Sequence, residues 1–180
     1  MDIKQNNILK PILSADDLYW TYFINLYKSA FPENERRTEI ELSSIIGNKL
    51  FYPNVIINND DFRGLFNYWK FDSFSYLEHF AIIDIYRGKG IGKQILNQFI
   101  NDNIVVLECE PVSDEISQRR LEFYLKIGFN IFPFEYIQPP YSDCKSSMKL
   151  LLLTSLNCVS ESSFNISREA IYKEVYKIVF

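Results

Sequence analysis

The sequence predicts a mixed α/β fold in one domain: a central mixed sheet flanked by helices, with an extra C-terminal helix. Three observations predict it. Apolar runs at strand length alternate with helical apolar spacing along the chain. Tyr76 to Ile100 runs from strand, through a glycine-rich turn, into helix. A second buried, β-rich run, Ile104 to Cys109, follows that helix and reads as a parallel neighbour.

The elements follow in order. Ile8 to Leu13 reads as a short strand whose Pro11 suits an edge. Ser14 offers a helix N-cap, with Asp16 and Asp17 in the first turn and Leu18, Tyr19, Tyr22, Phe23, Leu26, Tyr27 and Ala30 at helical spacing. Phe31-Pro32 ends that helix. A second helix, from about Glu35 or Thr38 to Ile46, stops at Gly47-Asn48. Phe51 to Ile57 and Phe62 to Phe71 form a hairpin around Asn58-Asn59-Asp60-Asp61, and Asp72-Ser73 turns into the central strand, Tyr76 to Asp84. Beyond the second glycine-closed helix, Glu115 to Lys126 with Gly128, lie strands at Ile131 to Ile137 and Met148 to Thr154. The tail reads as a helix capped by Ser167, with Ile171, Val175, Ile178 and Val179 as its apolar stripe. The expected organisation is a domain over 1–156 and a helical extension over 157–180 packed on it.

Composition narrows the function. The chain of 180 residues is 47% hydrophobic, which argues against disorder. A net charge of −4 gives no support for nucleic-acid binding. Cys109, Cys144 and Cys158 are scattered and odd in number, as reduced thiols of a cytoplasmic protein are. One histidine and distant cysteines argue against a metal site. The N-terminus lacks the apolar region of a signal peptide, and no apolar run is long enough to span a membrane.

The chemistry concentrates in Arg87-Gly88-Lys89-Gly90-Ile91-Gly92-Lys93. The first N–H groups of a helix lack internal partners and carry partial positive charge, so a glycine-rich turn at a helix start makes an anion cradle. The spacing excludes a P-loop, since Arg87 stands where the first glycine belongs and Gln94 where the hydroxyl belongs. It excludes a dinucleotide fingerprint, which requires glycine at Lys93 or at Ile95.

Arg87, Gly90 and Gly92 fit Arg-x-x-Gly-x-Gly, and here the sequence resembles the GCN5-related N-acetyltransferase (GNAT) superfamily. The helix LEFYLKIGF adds a second match in Tyr124, Gly128 and Phe129. Ser117 to Arg120 depart from the asparagine and small residue that many members carry earlier on this helix. Phe31 to Arg37 resembles a segment of a bacterial GNAT subgroup that borders the acceptor site.

The resemblance implies acetyl transfer from acetyl-CoA to a primary amine by direct attack. It implies that backbone amides from Arg87 to Lys93 (Arg87, Gly88, Lys89, Gly90, Ile91, Gly92, Lys93) hold the cofactor's pyrophosphate. Ile82, Ile83 and Asp84 would bond the pantetheine arm, with an N–H near Ile82 as oxyanion donor. Tyr124 would protonate the leaving thiolate. An amine with a pKa near ~10.4 must lose a proton before it attacks. Glu78, a carboxylate in an apolar strand, is the expected base, on the face of Tyr76, Phe80 and Ile82 and with a pKa raised by burial. His79 is expected on the other face as a structural histidine. Fold position nominates Glu35, Arg36, Tyr76 and Tyr141 for the acceptor. The partners expected are acetyl-CoA and an amine, a small molecule ahead of a protein, with no metal and a monomer or homodimer. The alternative is an acyl-CoA-binding regulatory module without turnover.

Overall fold

The computed structural model describes residues 7–178. Its elements make the expected mixed sheet flanked by helices, in two compact units: residues 7–68 with 78–101, and 69–77 with 102–178.

In the first unit, β1 (Ile8–Pro11) pairs antiparallel with β3 (Asn54–Asn58), Ile8 against Ile57 and Pro11 against Asn54. β3 pairs antiparallel with β4 (Asp61–Lys70) through Asn59 and Asp60, both at positive φ (48° and 63°), the two-residue turn that matches strand twist. The single strand expected over Phe51 to Ile57 is two, β2 (Phe51–Tyr52) and β3. Pro53 separates them, since it has no N–H for the ladder. α1 (Trp20–Ala30) buries Trp20, Phe23, Ile24 and Tyr27, an i, i+3, i+4, i+7 stripe. It starts later than Ser14 implied. The Asp17 carboxylate accepts the Tyr19 N–H at 2.9 Å, and two successive turns occupy Ser14 to Trp20 instead. α2 (Glu39–Ile45) starts at a Thr38/Glu41 capping box.

β5 (Ser75–Ile82) leads into α3 (Ile91–Asp102). At the hairpin turn the Phe71 N–H bonds the Phe74 carbonyl, while further along the Ile83 N–H bonds the Arg63 carbonyl. Gly64 on β4 is required by contact: a Cβ there would lie 2.3 Å from the Ala81 carbonyl oxygen.

In the second unit, Ser75 to Leu77 of β5 run parallel to β6 (Val105–Cys109), and β6 pairs antiparallel with β9 (Met148–Thr154). The strand expected over Ile131 to Ile137 is two short ones, β7 (Asn130–Ile131) and β8 (Tyr136–Gln138), both on β9. Pro133 falls between them. α4 (Glu115–Ile127) runs from an Asp114/Ser117 capping box to Gly128, whose φ of 109° suits glycine. α5 (Glu161–Glu174) is capped by Ser160, not Ser167. Ser167 is buried mid-helix and donates to the Ser163 carbonyl. Of the expected stripe, Ile171 and Val175 are buried, Ile178 is 37% exposed, and Val179 lies outside the described residues.

Candidate functional site

The turn between β5 and α3 has the features an anion cradle needs. Gly88 and Gly90 hold φ of 73° and 78°, and a Cβ at either would meet nothing within 4 Å, so backbone conformation, not space, calls for glycine. The helix ladder begins with the Gln94 N–H on the Gly90 carbonyl, leaving the earlier N–H groups at the helix start outside it. Ile91 is buried and anchors the helix; Lys89 and Lys93 are exposed. The Arg87 guanidinium braces the turn itself, with Nε on the Ile82 carbonyl at 3.0 Å and an ion pair to Asp84 at 2.9 Å. Lys89 Nζ stands 5.2 Å from the centroid of the Tyr86 ring. Within Ile82 to Asp84, the Ile83 N–H is already committed to Arg63 at 3.0 Å. That N–H is therefore not one a pantetheine arm would use, while the Ile82 carbonyl keeps a second lone pair.

Glu78 sits in a different environment from the one expected. Its side chain is fully buried and ion-paired with Arg37, itself 7% exposed. His79 Nδ1 is 3.6 Å from the same carboxylate. Burial alone would raise the Glu78 pKa; the charge of Arg37 and the bond and charge of His79 outweigh it and hold the carboxyl well below the usual range. The expected upward shift is thus corrected, and a carboxylate held this low is a poor proton acceptor at neutral pH. The expected separation of faces is corrected too. His79 Nε2 donates to the Glu35 carbonyl at 3.0 Å and its ring packs edge-on against Tyr27 and Phe31, so Glu78 and His79 both engage the segment Phe31 to Arg37. Arg37 carried no signal in the sequence as the partner of Glu78. Its own N–H bonds the Tyr27 hydroxyl at 2.9 Å.

Glu35 joins this cluster through its carbonyl. Arg36 borders it. Its Nε bonds the Phe31 carbonyl at 3.0 Å, and it lines a cavity of about 530 Å³ with Trp20, Lys28 and Glu39.

In the second unit, Tyr124 is 9% exposed. Burial and the neighbouring Cys109 raise its phenol pKa, partly opposed by Arg120, so it is a protonated donor at neutral pH. Burial likewise pushes the Cys109 thiol up to about 11. Tyr76 and Tyr141, both nominated for the acceptor, meet through Tyr176. The Tyr76 and Tyr176 hydroxyls are 3.4 Å apart, and the Tyr141 and Tyr176 rings are 5.0 Å apart. The sequence reading missed Tyr176 and also Glu108, to which Tyr136, Gln138 and Tyr176 donate. A lone carboxylate inside Val-Val-Leu-Glu-Cys was the available signal for Glu108.

Among the described residues, no group of three or more His, Cys, Asp or Glu is placed to hold a metal ion, and no helix is long and apolar enough to cross a membrane.

Known proteins match this chain in family and fold. The family described as acetyltransferase (GNAT) matches residues 14–129. A protein from Bacteroides thetaiotaomicron assigned to the GNAT family superposes with a TM-score of 0.88 at 29% identity, covering 96% of this chain and 99% of that one. An aminoglycoside 6'-N-acetyltransferase complexed with coenzyme A gives 0.59 at 12% identity, covering 85% and 99%. A GNAT acetyltransferase from Elizabethkingia anophelis with acetyl-CoA bound gives 0.53 at 15%, covering 84% and 98%. No curated protein matches significantly in sequence. The family match covers the strand, turn and helix of the anion cradle together with the Tyr124 helix, and the chain belongs to the GNAT acetyltransferase family.

Proposed function

We propose that this protein transfers the acetyl group of acetyl-CoA to a primary amine by direct attack within a ternary complex, with small-molecule amines favoured over proteins. The observation that carries the reading is the glycine turn with Gly88 and Gly90 at positive φ, at the start of α3, in a chain of this family.

In this scheme the amides from Gly88 to Lys93 hold the pyrophosphate, and Arg87 keeps the turn in shape. The Ile82 to Asp84 backbone meets the pantetheine arm with the groups that Arg63 leaves open. The amine nitrogen attacks the thioester carbonyl carbon. The carbonyl π pair moves to oxygen, where an N–H near Ile82 stabilises it. The oxyanion's pair re-forms the C=O bond as the C–S bond breaks, and Tyr124 gives its proton to the leaving thiolate. The amine's own proton leaves to solvent water, which returns a proton to the Tyr124 phenolate. Glu78 would serve there only if its ion pair with Arg37 opens, and otherwise it acts as a fixed anion that orders Arg37 and His79. Residues Glu35, Arg36, Tyr76 and Tyr141 are the proposed acceptor-side groups. We place the activity in the bacterial cytoplasm, in a monomer or homodimer, with the transferase in 1–156 and a helical extension in 157–180. Three unpaired cysteines support a reducing compartment.

The test is a thermal-shift titration with acetyl-CoA, then free-thiol release across pooled amines. A stability gain with acetyl-CoA and thiol release in an amine-containing pool are expected. A shift with no release in any pool would favour an acyl-CoA-binding module. No shift would remove the reading.

A further inference from the structure

Just ahead of the anion cradle, Tyr86 ends the short helical turn Asp84–Tyr86, and its N–H bonds the Ile83 carbonyl at 2.9 Å. Its hydroxyl donates to Asp61 Oδ2 at 2.6 Å, at the head of β4 and 25 residues away in the chain. That bond, more than burial or the Asp61 charge, raises the phenol's pKa against the opposing charge of Arg63, so Tyr86 stays protonated and donates. Arg63 Nε meets the same Asp61 oxygen at 3.3 Å, and the Arg63 guanidinium carbon lies 4.6 Å from the Tyr86 ring centroid. Arg63 reaches that place from a bulge. β3 pairs Ile57 with Phe62 and Ile56 with Gly64, so Arg63 is the extra residue of β4. Its carbonyl takes the Ile83 N–H, so one residue holds this turn by backbone and by side chain. On the cradle side, Lys89 Nζ stands 5.2 Å from the centroid of the same ring. Lys89 sits between Gly88 and Gly90, the two cradle glycines at positive φ.

We propose that Tyr86 is a positioning residue for cofactor binding: pinned by Asp61 and Arg63, its ring holds the Lys89 ammonium at the cradle for a phosphate of acetyl-CoA. The inference rests on the acetyl-transfer reading above and adds residues that set the cofactor's affinity. The charges around the turn favour it. Asp61 is shared by Tyr86 and Arg63, and Asp84 pairs with Arg87 at 2.9 Å. Among the described residues, Lys89 is paired with no carboxylate. A ring attracts an ammonium without neutralising it, and leaves its N–H donors for an anion. A lysine on its own holds a phosphate only after giving up the freedom of a long side chain, and a ring that restrains it in advance removes part of that cost. A tyrosine acting only as a brace for the turn would instead change binding by the same factor whether or not Lys89 is present.

Calorimetry with acetyl-CoA on the full chain tests this in wild type, Tyr86→Leu, Lys89→Met and the double variant. Lys89→Met is expected to weaken binding about tenfold, and Tyr86→Leu about fourfold. In the double variant the tyrosine change is expected to add nothing, because the two residues act as a unit. Lys89→Arg keeps the charge and stacks on rings, so it is expected to stay within about twofold of wild type and still to lose about fourfold when Tyr86→Leu is added. The dependence of affinity on salt is expected to flatten in both Lys89→Met and Tyr86→Leu. Tyr86→Phe, which keeps the ring and frees it from Asp61, is expected to weaken binding in the same direction and serves if Tyr86→Leu does not fold. A double variant weaker than Lys89→Met by about a further fourfold overturns the inference. So does a Lys89→Met or Tyr86→Leu variant that binds as the wild type does. Failure of a folded wild type to bind acetyl-CoA would instead strike the acetyl-transfer reading.

Discussion

Replacing Arg37 by methionine removes the positive half of a nearly dry ion pair. The two side chains are 7% and 0% exposed, so little water is at hand to solvate the Glu78 carboxylate left behind. Breaking a buried pair from one side costs about 3–5 kcal/mol. For a chain of this size that corresponds to a fall in Tm of roughly 6–20 °C. The pH dependence gives a sharper signature. In the wild type the Glu78 carboxyl is held below its ordinary value. It therefore adds stability above the unfolded value of ~4.3, and that stability drains away as pH falls through the native pKa. In Arg37→Met the burial that Arg37 now outweighs acts with less opposition and raises the carboxyl. The sign inverts: from about pH 7 to about pH 5 the variant gains stability relative to the wild type. Urea unfolding at the two pH values reads both effects. The double variant Arg37→Met, Glu78→Leu is expected to recover most of the loss, because replacing both partners by apolar groups is often nearly neutral. A single variant within about 0.5 kcal/mol of wild type, or one that gains no stability relative to the wild type from about pH 7 to about pH 5, would refute the buried-pair reasoning.

Other consequences test other parts of the account. Gly90→Ala forces an L side chain to φ near 78°, at a cost of about 1–2 kcal/mol, and acetyl-CoA affinity by calorimetry should fall about tenfold. Gly64→Ala drives a methyl to 2.3 Å from the Ala81 carbonyl oxygen, and the urea midpoint should drop by the equivalent of about 1–3 kcal/mol. Tyr124→Phe keeps the ring and removes the proton donor, so kcat should fall about a hundredfold while the acetyl-CoA thermal shift persists.

Local signals were readable in the sequence because they act over a few residues. The helix starts near Thr38 and Glu115, the Asn59-Asp60 turn and the glycines at 88, 90 and 128 each report backbone geometry within one turn. Errors arose where a neighbour competed. Ser14 lost the helix start to the Asp17 turn, Ser167 lost the cap to Ser160, and Pro53 cut a strand that composition made continuous. The polar chemistry was harder to read because its partners are remote. Arg37 is 41 residues from Glu78, and Tyr176 is 68 from Glu108. Nothing local tells a carboxylate in an apolar strand whether it will meet an arginine, as Glu78 does, or phenol and amide donors, as Glu108 does.

The central claim is that acetyl moves from acetyl-CoA to an amine nitrogen, and the most direct test is to follow the group itself. Acetyl-CoA carrying a heavy-isotope acetyl group is incubated with the protein and pooled amines, and the products are weighed by mass spectrometry. The account predicts a labelled amide formed in step with free coenzyme A. Binding of acetyl-CoA with no labelled amide, or coenzyme A released only with labelled acetate, would contradict it.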